Sequence, residues 1–247
     1  MLKIERFVTM SPEQWDIVIE GMRNPKNSWD RSDSYATHIE DPETLETADY
    51  AFFLGENDQA LMESLVKGGP VHAKFRRMMP VWVTITAPLY WWKEFDTYKV
   101  GTVSNSCSTM HKIHAKEFTL EDFSCEHLFD DAARRYDSDS CFYKTTFGFV
   151  IEALNDARKM YLETINKPMK DNTKRAALAK KFWWQMIQLL PTSYNQKRTV
   201  MLNYEVLHNI YESRRHHKLD EWHTLCDWIE ELPYSEIITG EFENPEI

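Results

Sequence analysis

The chain has 247 residues, 43% of them hydrophobic and 28% charged, with a formal net charge of −10. This is a globular composition, long enough to bury a substantial core, and its acidic balance excludes a general grip on a nucleic-acid polymer, which needs a basic face. With only 7 glycines and neither GxGxxG nor GxxxxGK[ST], a glycine-rich phosphate loop is excluded as well.

The opening MLKIERFVTM carries no apolar leader, and Lys3 to Val8 alternates as a strand does. Ser11-Pro12-Glu13-Gln14 is a capping box with proline at the first helical position, which predicts a helix to about Met22. Residues 24–50 are polar and broken by prolines, the pattern of a long loop excursion. A helix from about Asp58, with Leu61, Leu65 and Val66 on one side, should stop at Gly68-Gly69. From Val81, VWVTITAP sets Val81, Val83 and Ile85 on one face and Trp82, Thr84 and Thr86 on the other, which is strand periodicity. Thr119 to Phe129 reads as a short helix capped by Thr119, with Asp122 three residues on, and residues 130–141 read as a charged loop. Four helices follow, over about 145–166, 173–190, 197–216 and 219–232, punctuated by Pro168, Pro191 and Pro233. No repeat or linker interrupts the chain. The expectation is a single α+β domain over residues 1–247, helix-rich with a small sheet.

Cys107, Cys125, Cys141 and Cys226 form no CxxC pair, and no stretch approaches the apolar length of a membrane span. A cytoplasmic protein with no membrane partner is expected. The sets His111, His114, Cys125, His127 and His216, His217, His223, Cys226 lack the paired spacing of a structural zinc site and read as helix-surface side chains, so no metal is assigned. KRAALAKK, from Lys174, reads as a solvated helix face. The segment TVSNSCST, Thr102 to Thr109, has no charge and one aliphatic residue among hydroxyls, an amide and a thiol. Such a wall suits close approach of a polar, uncharged surface; the alternative is a hydrogen-bonded turn with no ligand. Within the helix expected over 197–216, Asn203, Leu207, Ile210 and Arg214 fall on one stripe. Arg214 there is either a functional cation or a snorkelling surface side chain.

The segment LPTSYNQKRTVMLNYEVLHNIYESR, Leu190 to Arg214, resembles the C-terminal signature of the flavin-dependent thymidylate synthases. In that family a Leu-Pro is followed at fixed spacing by Asn, a second Asn and Arg, and Leu190, Pro191, Asn203, Asn209 and Arg214 match without a gap. The family's other signature, Arg-His-Arg-x-x-Ser-x-Asn-x-x-Ser-x-Arg, is similar to residues 97–110 in degraded form. Asn105 and Ser108 are kept, Thr97-Tyr98-Lys99 stands for the basic triplet, Thr102 for the first Ser and Met110 for the last Arg, with one residue inserted between Thr102 and Asn105. His72 falls where the family has a His near its flavin, and the resemblance spans about residues 58–232.

The resemblance implies the α+β fold of that family, assembled as a homotetramer. It also implies FAD as cofactor, a pyrimidine nucleotide such as dUMP as substrate, and NADPH and methylenetetrahydrofolate as co-substrates. Arg214 would be catalytic by polarising the pyrimidine carbonyl. Ser106, Cys107, Ser108 and Arg198 would bind the nucleotide, and His72, Lys99, Asn105, Asn203, Asn209 and Lys218 the flavin. The pairs Trp91-Trp92 and Trp183-Trp184 offer apolar area for assembly. Two family arginines are absent, at Met110 and at Ile187, three residues before Leu190-Pro191. Lys181, Arg198 or Arg215 could replace them. A non-catalytic nucleotide- or flavin-binding protein of the same fold, and a helical interaction protein, are the alternatives.

Overall fold

A computed structural model describes residues 1–40, 47–128, 143–168 and 170–242. In chain order the elements are β1 (Lys3–Val8), α1 (Pro12–Arg23), β2 (Tyr35–Glu40), β3 (Thr47–Phe53), α2 (Glu56–Lys67), β4 (Pro80–Pro88), α3 (Leu89–Phe95), β5 (Val103–Ser106), α4 (Thr109–Lys112), α5 (Tyr143–Asn166), α6 (Asn172–Leu189), β6 (Asn195–Asn203), α7 (Tyr204–Arg214), α8 (Asp220–Glu230) and α9 (Glu236–Thr239). They cluster into two compact units, each discontinuous in sequence. The first comprises Met1–Lys3, Thr86–Asp96 and Ser106–Arg198; the second comprises Ile4–Ile85, Thr97–Asn105 and Thr199–Ile247.

The first unit is dominated by α5 and α6, which pack on each other. Ile151, Leu154 and Ala157 of α5 and Met186 of α6 are buried in one cluster with Ile113, Phe118 and Phe123. Asp171 caps α6 by accepting from the Thr173 and Lys174 amides. Trp91, Trp92 and Phe95 of α3 are buried, and Trp92 Nε1 donates to the Gln196 carbonyl at 2.8 Å. Trp91 and Trp92 therefore belong to the core and offer no apolar surface for assembly, whereas Trp184 is exposed. The Thr119–Asp122 box closes as expected, but only a 3-10 turn, Leu120–Asp122, follows it. The charged loop expected over 130–141 and Cys141 lie outside the described residues.

The second unit holds most of a four-stranded sheet ordered β1-β4-β6-β5, with β2 and β3 as a separate antiparallel pair. Val81, Val83 and Ile85 of β4 are buried, so the alternation of VWVTITAP falls on the core side. The capping box at Ser11 forms in both directions and starts α1. Residues 24–50 hold more structure than their prolines suggest: two 3-10 turns and then β2 and β3, whose aromatic residues include Phe52 stacked on Trp15. A strand pair whose side chains pack on a helix escapes a reading based on local polarity alone.

The expected helix over 197–216 is instead a strand followed by a helix. Gln196, Val200 and Leu202 are buried while Lys197 and Thr199 are exposed, a period of two that ends at Asn203. There the chain turns: Asn203 has extended dihedrals and its Oδ1 accepts from the Val206 amide at 3.0 Å, the geometry of a helix N-cap.

Candidate functional site

In the second unit, Asn203 and Arg214 stand at the two ends of α7. Asn203 caps it, and its Nδ2 donates to the Arg77 carbonyl at 3.3 Å. Leu207 and Ile210 between them are buried, so the stripe survives although its first member precedes the helix. Arg214 lies with its guanidinium carbon 4.7 Å from the Trp222 ring centre and 5.8 Å from that of Tyr98, and its Nε donates to the Tyr98 hydroxyl at 3.0 Å. Tyr98 meets Trp222 edge-on at 6.1 Å. The arginine is thus oriented by the Trp222 ring and by the ring and hydroxyl of Tyr98.

The loop Thr97–Asn105 runs from one end of α7 to the other. Tyr98 meets Arg214, and Gly101, at φ +83°, lies so close to the start of α7 that an added Cβ would be 3.0 Å from Asn203 Nδ2 and 3.1 Å from Val206 Cγ2. Only glycine meets both demands, a left-handed backbone and close approach. Thr102, next in sequence, has a buried hydroxyl without a hydrogen-bond partner. Lys99 and Asn105 on this loop are exposed, as are Asn209 on α7 and Lys218 just beyond it. His217, beside Lys218, presents its ring to Trp222 at 6.3 Å. Lys99 and Lys218 thus adjoin in sequence Tyr98 and His217, which both meet Trp222. His72 is exposed in the turn after α2, with its ring against Gly68.

In the first unit, Ser106, Cys107 and Ser108 are exposed. The Cys107 amide donates to the Lys197 carbonyl at 2.9 Å, and Gln196 Nε2 reaches Thr109 Oγ1 at 2.9 Å, so the backbone of this turn is fixed while its side chains are presented. Ser108 caps the short α4 by accepting from the His111 amide. Arg198 is committed elsewhere. Its Nη1 is 2.7 Å from Asp96 Oδ1, its Nε donates to Gln196 Oε1 at 2.9 Å, and its guanidinium covers the Trp92 ring at 4.3 Å. Those contacts give it a structural load that its place in the sequence does not reveal. In the second unit, Arg215 is likewise paired, with Glu241 at 3.1 Å.

Sequence reasoning gave no role to Tyr98, Gly101 or Trp222. The signals were present: a glycine in a glycine-poor chain marks a backbone constraint, and an aromatic residue beside a lysine can orient a cation. Two clefts of the second unit lie at other residues: one of about 460 Å³ includes Glu63, Glu230 and Glu236, and another of about 670 Å³ includes Arg23, Lys26 and Arg31. Among the described residues, no three His, Cys, Asp or Glu side chains are placed to hold a metal ion, and no helix is long and apolar enough to cross a membrane.

No protein-family model matches the chain, and no curated protein matches it in sequence. Solved structures do. Thymidylate synthase X (ThyX) from Helicobacter pylori, crystallised with FAD and dUMP, aligns over 96% of this chain and 94% of its own, with a TM-score of 0.54 at 16% identity. A second H. pylori ThyX structure, complexed with FAD and dUMP, aligns over 96% and 95% with a TM-score of 0.52 at 15% identity. The chain has a ThyX fold.

Within the ThyX fold, two departures in sequence acquire a physical setting. Ile187 packs against the hydrophobic cluster of the first unit, so this position supplies no guanidinium. Met110 is exposed, and its carbonyl accepts from Trp183 Nε1 at 3.0 Å. The Arg214 guanidinium over the Tyr98 and Trp222 rings supplies a cation and flat aromatic faces, chemistry that suits the rings and phosphates of a flavin.

Proposed function

We propose that this chain is a divergent flavin-dependent enzyme of pyrimidine deoxynucleotides, with its 247 residues acting as one functional domain. The reaction would be the reductive methylation of dUMP or a related substrate. The observation that carries the reading is the Arg214–Tyr98–Trp222 cluster, whose Arg214 and Tyr98 lie on a helix and a loop that both resemble ThyX signatures, in a chain with the ThyX fold. Bound FAD would relay electrons from NADPH to a one-carbon unit supplied by methylenetetrahydrofolate.

Lys99, Lys218 and Asn209 would hold the flavin from the second unit, together with His72, Asn105 and Asn203. Asn203 would act mainly by fixing the start of α7, since its amide already bonds Val206 and Arg77. Arg214, held by Tyr98, would present its charge to the pyrimidine carbonyl and stabilise negative charge as the ring is activated. Ser106, Cys107 and Ser108 would bind the nucleotide through exposed side chains on a turn with a pinned backbone, with Arg198 keeping that turn's strand in place.

A second reading, a flavin- or nucleotide-binding protein without catalysis, is favoured by Ile187 and Met110, because two guanidiniums are missing where the family binds phosphate. One experiment separates the readings. Purified protein reconstituted with FAD and freed of excess should retain about one flavin per chain, and reduced protein should reoxidise faster with dUMP and methylenetetrahydrofolate. Flavin retention without any nucleotide effect favours the second reading. Loss of all flavin on gel filtration overturns the enzyme and the flavin-binding protein, and leaves a nucleotide-binding or a helical interaction protein.

A further inference from the structure

Away from the Arg214 cluster, the cleft of about 670 Å³ at the end of α1 contains an arginine whose bonding is incomplete. Arg23 is 3% exposed. Its Nε donates to Asp58 Oδ1 at 2.5 Å, and its Nη1 donates to the Ser28 carbonyl at 3.1 Å and the Ser28 hydroxyl at 3.3 Å. Its Nη2 is buried and has no hydrogen-bond partner. Buried guanidinium nitrogens are rarely left so, because the lost hydration is uncompensated.

Asp58 cannot turn to satisfy that nitrogen. Its second oxygen accepts from the Ser32 and Ser34 hydroxyls and from the Asp33 and Ser34 amides. Lys26 and Arg31, both exposed, line the same cleft with Arg23. Asp30 is the acidic residue of the lining, so three cations face two carboxylates once Asp58 is included. Asn27, Ser28 and Asn57 add neutral polar groups to the wall. The cleft volume lies in the range that encloses a nucleotide-sized molecule.

We infer that this cleft binds a phosphorylated small molecule, with the incompletely bonded Arg23 guanidinium in its wall and Lys26 and Arg31 supplying charge at the mouth. A phosphoryl group supplies several strong acceptors, and an arginine already anchored through Nε and Nη1 loses little freedom in meeting one of them. None of the cleft's lining residues is among those proposed to hold the flavin.

The probe is pyrophosphate, with inorganic phosphate as its smaller analogue, titrated calorimetrically at low salt into the whole chain saturated with FAD, so that the proposed flavin region is occupied. Saturable pyrophosphate binding at one site is expected, weakened about tenfold or more in the Lys26→Ala/Arg31→Ala double variant and unchanged in Arg214→Ala. Both altered cleft residues are exposed, so the double variant should keep its circular dichroism spectrum and melting temperature. No saturable binding to the wild type up to about 10 mM overturns the inference. Binding that persists in the double variant, or disappears in Arg214→Ala alone, overturns it equally, because the anion then sits elsewhere.

Discussion

At the scale of single residues, the second unit contains a buried carboxylate whose titration should be visible in stability. Burial alone would raise the Asp58 carboxyl, but hydrogen bonds from Ser34, Ser32 and Arg23 outweigh it and hold the group below its ordinary value. Because the folded-state value is depressed, its contribution to stability is present above the unfolded-state value of about 3.9 and is lost as pH falls through the lower, folded one. Asp58→Asn should destabilise the protein by roughly 3–5 kcal/mol at pH 7, as removal of one partner leaves a buried guanidinium uncompensated. Urea titrations should show that deficit shrinking below about pH 4. A deficit independent of pH would mean that the carboxylate is not the titrating group. The cysteines offer a second residue-level test. Burial, with Asp227 and Glu230 nearby, pushes the Cys226 thiol up to about 12, whereas Cys107 is exposed. A maleimide at neutral pH should modify Cys107 readily and Cys226 only after unfolding. Saturating dUMP should slow modification of Cys107 if its turn binds the nucleotide.

At the scale of elements, the loop Thr97–Asn105 and helix α7 are matched by one glycine. Gly101→Ala would place a methyl group on a backbone at φ +83° and against Asn203 Nδ2 at 3.0 Å. A loss of about 1–2 kcal/mol is expected from the backbone conformation, and more if the cap at Asn203 is displaced. Reduced flavin retention should accompany it. If Gly101→Ala melts with the wild type, the loop does not depend on this approach. Ser108 tests the turn of the first unit. Since the side chain is exposed, Ser108→Leu should avoid overpacking and cost no more than its lost cap on α4, while blocking nucleotide binding. Ser108→Ala should cost about 0.5–2 kcal/mol through its cap on α4. A large intrinsic loss in Ser108→Leu would instead identify a turn that exists for folding alone. The boundary at Asn203 shows why elements are misread. Lys197 to Asn203 carries no helix breaker, so the helical stripe extends backward on paper. Pairing of β6 within the sheet favours the strand, and the short polar side chain of Asn203 then makes it a good cap.

At the scale of the whole molecule, the resemblance of Leu190 to Arg214 to the family's signature is what predicts a homotetramer. Light scattering at micromolar concentration should report about four chains, and a monomer would remove that support for the functional proposal. The apolar area for such contacts cannot come from Trp91 and Trp92, which the first unit consumes. What the sequence determined by itself is considerable. Period-two burial in VWVTITAP, the capping box at Ser11, the long helices α5 and α6, and the spacing from Leu190 to Arg214 were all legible, because each depends on neighbours within a few turns of chain. The tertiary structure alone decided which polar groups are occupied. Arg198 is bound to Asp96, which lies far away in sequence, whereas Arg214 is held by Tyr98 and Trp222 on separate segments. Arg23 keeps one nitrogen buried and unmet because Asp58, brought to it from α2, is already saturated. Side-chain chemistry is written locally, but its satisfaction depends on partners that only long-range packing supplies.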